Sequence, residues 1–211
     1  MLLKISNLSF FIKSKLKYNF SNHSISENKS FLGLWIYLMS DCIVFAVLFA
    51  TYAVIINTSK DLFLLKSIFN IPLVIFETFL LLFSSIMYSF AVVFLKLCKY
   101  YYIIISLFLT LFAGSLFVLI EGYEFHNLII HHYGPQFNSL FSIYFTIIGI
   151  HGLHVIIGII WIISIIFELL YIKKISKNII NKIFCLSIFW HFIDIIWICV
   201  FSIIYLIGTL L

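Results

Sequence analysis

The side chains best equipped for chemistry are five titratable groups set inside long apolar runs. His151 and His154 stand three apart in GIHGLHVIIGIIW (149–161), and His191 and Asp194 stand three apart in WHFIDIIW (190–197). Asp41 stands alone in YLMSDCIVF (37–45). Imidazole can relay a proton or ligate a metal, and a carboxyl group can hold a proton or pair with a cation. Three-residue spacing puts each pair on one side of a helix. Two histidines in H-x-x-H lack a clear third ligand, so no metal site is assigned to them. Within hydrocarbon a lone carboxylate costs about 2.5–3.5 kcal/mol. Asp41 and Asp194 must therefore be paired or protonated, and His191 with Asp194 can satisfy one another across one turn. Two roles stay open for the set: hydrogen bonds that tie helices together, or a proton-linked function.

The elements that must position these groups are legible in composition. The 211 residues are 64% hydrophobic and 10% charged, with a mean hydropathy of +1.20. That excludes an ordinary soluble domain and a disordered chain, and indicates a polytopic membrane protein. The run Phe137–Phe167, which holds both central histidines, contains no Lys, Asp or Glu. It exceeds the roughly 20 residues a helix needs to cross a bilayer. Gly149, Gly152 and Gly158 in that run offer sites where another helix can come close. Five such segments are expected, at about 31–56, 71–95, 101–122, 138–171 and 184–210, after a tail over 1–30. The tail lacks the apolar core and cleavage site of a signal peptide. Cys42, Cys98, Cys185 and Cys199 form no C-x-x-C pair, so neither a disulfide framework nor a zinc site is indicated.

Net charge is +5, yet the lysines form no basic face for nucleic acid. They cluster in the tail (Lys4, Lys13, Lys15, Lys17, Lys29), the second link (Lys96, Lys99) and the fourth (Lys173, Lys174, Lys177, Lys182). Only Lys60 and Lys66 fall on the other side. The positive-inside rule then predicts a cytoplasmic N-terminus and a periplasmic C-terminus. At about 1.5 Å per residue, Asp41, His151, His154, His191 and Asp194 all fall in one central layer. A polar network joining helices one, four and five is expected there. Glu77 lies about 9 Å inside the outer face. Glu121 and Glu124, with His126 beside them, mark the outer end of the third segment. These four are expected to pair between helices or to contact lipid headgroups near the interface, a solvated helix end being the alternative for Glu121 and Glu124. Trp35, Trp161, Trp190 and Trp197 do not all lie at interfaces, so some are expected to pack or hydrogen-bond inside the bundle.

In order along the chain, LWIYLMSDCIVFAVLFATYAV (34–54), ETFLLLFSSI (77–86), EGYEFHNLI (121–129), GIHGLHVIIGIIW (149–161) and WHFIDIIWICVF (190–201) resemble subunit III of the haem–copper terminal oxidases. The form they resemble is the five-span one of bacterial cytochrome bo-type ubiquinol oxidases. The resemblance implies a subunit that has neither redox centre nor catalytic residue of its own. Haems and copper would reside in subunit I, with phospholipid bound between helices of this chain. Its partners would be subunits I, II and IV in a bacterial inner membrane, with ubiquinol oxidised by the whole complex. Asp41 matches the position of an intramembrane carboxylate in relatives, and His151, His154, His191 and Asp194 match motif residues. The reading is an all-α bundle of five transmembrane helices, serving a proton-pumping quinol oxidase in assembly, stability and proton supply. The rival reading is a standalone ion or metal transporter that uses the same His and Asp layer.

Overall fold

The computed structural model describes residues 25–58, 71–172 and 175–206, with side chains from 31 to 56 in the first stretch. Lys4, Lys13, Lys15 and Lys17, the side chain of Lys29, Lys60, Lys66, Lys173, Lys174 and the last five residues lie outside that description. Among the described residues there are helices and no strands: α1 Ile25–Thr58, α2 Ile71–Lys96, α3 Tyr100–Ile130, α4 Ser139–Ile172 and α5 Lys177–Val200. The last runs on into a π-helical turn, Phe201–Leu206. The described residues fall into two units, one up to Met39 and one from Ser40 onward. In the first, the described opening of α1 exposes Leu32, Trp35 and Ile36. All contacts that follow lie within the second.

Among the described residues five stretches are long and apolar enough to cross a membrane. The sense of burial confirms what surrounds them. Phe79, Leu119 and Phe167 are more than 60% exposed, whereas Glu77, Ser84 and Thr110 are fully enclosed. A soluble fold would not arrange them so; a bundle in lipid must satisfy its polar groups internally.

Helix boundaries follow local chemistry more than apolarity. α3 continues eight residues beyond the expected end at 122, through Glu124, His126 and Asn127. The polar residues end the apolar run there, but they do not end the helix. α5 starts at Lys177, earlier than the expected 184, because Ser176 caps it by accepting from the Ile179 N–H at 3.3 Å. α1 begins at Ile25, inside the stretch read as tail.

Two helix ends close with the same device. After α2, Lys99 N–H bonds Phe94 O and Cys98 N–H bonds Leu95 O, both at 3.1 Å, with Cys98 at φ 56°. After α3, Tyr133 N–H bonds Leu128 O and His132 N–H bonds Ile129 O, with His132 at φ 63°. This is the Schellman pattern, whose left-handed position glycine normally fills. A side chain there costs about 1–2 kcal/mol. Cys98→Gly is therefore expected to raise the stability of the chain by about 1 kcal/mol. A heat-denaturation midpoint in detergent that moves down would refute this.

The bundle is knit by polar bridges between antiparallel α2 and α5. Trp197 Nε1 donates to Thr78 Oγ1 at 3.1 Å, and Trp190 Nε1 donates to Ser84 Oγ at 3.1 Å. Tyr88 donates to Ile183 O at 2.9 Å. Ser84 and Thr78 pass their own hydrogens to Leu81 O and Val74 O, so both hydroxyls donate and accept. The Trp190 ring also slots between α3 and α4. A Cβ placed on Gly114 would lie 3.1 Å from its Cη2, and one on Gly158 only 2.8 Å from its Cζ3. Small residues let three helices close on one indole. Gly149, by contrast, has nothing within 4 Å of a built Cβ, so it makes no close approach.

Candidate functional site

The central polar residues separate into distinct clusters instead of one network. On α4, His154 turns to α1: its Nε2 lies 3.2 Å from Asp41 Oδ2, with both side chains about one-seventh exposed. The Phe45 ring covers the pair at 5.6 Å from the imidazole. His154 Nδ1 lies 2.7 Å from Ile150 O. A carbonyl can only accept, so Nδ1 carries a hydrogen. Two arrangements then satisfy Nε2: a protonated Asp41 donating to a neutral ring, or an imidazolium donating to the carboxylate. Both hold one shared proton and no net charge, which suits a low-dielectric seam.

His151 faces elsewhere. It is 1% exposed and packs edge-on to Phe117 of α3 at 5.9 Å and against Trp197 of α5 at 5.1 Å. Neither ring nitrogen has a hydrogen bond. Three helical residues turn through about 300°, so neighbours on one broad face still end against different helices.

On α5, His191 lies 3.3 Å from Ser89 Oγ of α2. Asp194 is buried, and its Oδ2 is 3.9 Å from His191 Nδ1. That is too long for a hydrogen bond, so the two do not satisfy one another in the way their spacing suggested. The expected link of α5 to α1 through these residues does not form.

The four residues assigned to the outer interface also divide. Glu77 is fully enclosed and neither of its oxygens has a hydrogen bond. Glu121 is 6% exposed, and a Cβ on Gly152 of α4 would meet its carboxyl oxygens at 3.2 Å. Glu121 therefore points into the bundle and is not a solvated helix end. Glu124 is half-buried and His126 is exposed. The Tyr144 and Tyr205 hydroxyls meet at 2.9 Å, and Tyr52 donates to Ile204 O at 3.4 Å. Sequence reasoning passed over these three tyrosines and over Ser84, Ser89 and Thr78. Their only signal was a hydroxyl within an apolar run. Among the described residues no three His, Cys, Asp or Glu side chains converge as a metal ion would require. The four cysteines are free thiols.

An apolar exterior around polar interhelical seams defines a multi-pass membrane protein whose buried groups tie helices together. Comparison with known proteins carries this further. The chain is 46% identical over 198 residues to cytochrome bo(3) ubiquinol oxidase subunit 3 of Buchnera aphidicola subsp. Acyrthosiphon pisum, covering 92% of this chain and 95% of that one. It is 38% identical to the protein of the same name from Pseudomonas aeruginosa, covering 88% of each. A probable quinol oxidase subunit 3 of Staphylococcus saprophyticus is 32% identical over 89% of this chain and 92% of its own. No family model matches. The chain belongs to the cytochrome bo(3) ubiquinol oxidase subunit 3 family. As an oxidase subunit it forms a complex with other oxidase subunits.

Proposed function

We propose that this chain is the non-catalytic third subunit of a proton-pumping ubiquinol oxidase in a bacterial inner membrane. The complex would oxidise two ubiquinols for each dioxygen reduced to two waters, and haems and copper in subunit I would supply that redox chemistry. Subunits I, II and IV are the proposed partners, with phospholipid bound between helices. The lysine distribution supports a cytoplasmic N-terminus and a periplasmic C-terminus. The observation that carries the reading is similarity to subunit 3 relatives along nearly the full length of both chains. The site adds a physical role. Asp41 with His154, Trp190 with Ser84 and Trp197 with Thr78 are interhelical ties, suited to a subunit that holds shape beside a catalytic partner. Nothing in the relatives or the geometry favours the standalone transporter.

The test is a tagged pull-down in mild detergent, followed by a reduced-minus-oxidised visible spectrum and quinol-dependent oxygen uptake. Haem bands and activity are expected in the preparation, and neither in the isolated chain. Purification without any haem protein would overturn the reading.

A further inference from the structure

His191 presents a problem that the bundle itself does not solve. Its side chain is 43% exposed, on a helix whose membrane span runs Lys177–Leu206. His191 is the fifteenth residue of that span, about 21 Å of helix from either end. With a hydrocarbon core of about 30 Å, it lies at mid-bilayer depth, beyond the reach of lipid headgroups. Ser85 and Ser89 of α2 line the same groove, and the Ser89 side chain is half-buried. A polar patch open to acyl chains is unfavourable, and such residues in membranes face protein or a polar cavity.

The hydrogens say what must cover it. Ser89 Oγ donates to Ser85 O at 2.9 Å, so at 3.3 Å it accepts from His191 Nε2. With Nε2 protonated, Nδ1 of the neutral ring is an acceptor. Its nearest titratable neighbour, Asp194, is 3.9 Å away, too far to donate to it even with the carboxyl protonated. What Nδ1 lacks is a donor. Ile195 and Ile198, both exposed, extend the same stripe of α5 and give a helix an apolar surface to pack on.

We propose that the α2–α5 groove at His191 seats a transmembrane helix of a partner oxidase subunit, which donates an O–H or N–H to His191 Nδ1. This rests on the oxidase-subunit reading above and names where the contact is made.

The experiment places the photocrosslinker benzoylphenylalanine at Ile195 in the full complex, and separately compares His191→Leu with His191→Asn. The amide oxygen of asparagine can take the place of Nδ1 as acceptor. The expected result is a crosslink from position 195 to another oxidase subunit. Retention of the chain on the purified oxidase should fall about fivefold in H191L, the loss of one hydrogen bond, and recover in H191N. Adducts at 195 to lipid or quinone alone, to a second copy, or within this chain would overturn the docking. Undiminished retention of H191L would overturn the donated hydrogen bond. A preparation that lacks other oxidase subunits altogether would instead bring down the oxidase reading, and this inference with it.

Discussion

Gly158→Leu is expected to abolish stable incorporation of this chain into its complex, and Gly158→Ala to weaken it by up to about 2 kcal/mol. A Cβ at 158 would lie 2.8 Å from Trp190 Cζ3, 3.1 Å from Cε3 and 3.3 Å from Phe189 Cε1. The indole has no room to withdraw. Its far edge is already against Gly114, and its Nε1 is held by Ser84. Overpacking of this kind costs about 1–3 kcal/mol. For alanine, about 1 kcal/mol of improved helix propensity offsets part of that; for leucine the added volume far outweighs it. Gly149→Ala is the internal control. It gains the same propensity and meets nothing within 4 Å, so it should be neutral or slightly stabilising. Heat denaturation of the purified complex, read as loss of this subunit, separates the three variants. Equal behaviour of G149A and G158L would show that Trp190 does not lock the helices.

His154→Leu should destabilise the chain by about 2.5–3.5 kcal/mol, because it leaves Asp41 unpaired within hydrocarbon. Removing both partners should cost much less than that single change, since the remaining seam is apolar and no charge is stranded. Asp41→Asn should be mild for assembly. With Nδ1–H committed to Ile150 O, a neutral ring accepts at Nε2, and the side-chain amide introduced by D41N can donate there. The measurement is a double-mutant cycle on subunit retention, in which D41L/H154L is tighter than H154L alone. Additive losses would mean that the 3.2 Å contact carries no coupling. Turnover and proton pumping by D41N then test the second role. If both equal those of the unaltered oxidase, the shared proton of this pair is structural and supplies nothing to catalysis.

These two sets of variants also mark where sequence reading stops. The five spans were legible because hydrocarbon demands long apolar runs, and that demand is local to each segment. The presence of buried titratable groups was equally legible, since a His or Asp inside such a run is visible at once. That some tryptophans would pack or hydrogen-bond within the bundle was legible too, but only the structure shows that Trp190 and Trp197 are the ones that donate to Ser84 and Thr78. Which partner each group takes depends on helix rotation, and rotation is set by contacts between distant segments. His151 and His154 look equivalent in H-G-L-H, yet one meets Asp41 and the other is enclosed by Phe117 and Trp197. Glu121 looked like a helix end because Gly122, Glu124 and His126 follow it. Only the packing of α3 on α4 shows it buried at Gly152. The sequence by itself determined a five-helix membrane subunit with carboxyl and imidazole groups at depth. The tertiary structure decided their pairing, because a hydrogen bond across helices depends on ångström-scale approach and no linear spacing encodes that.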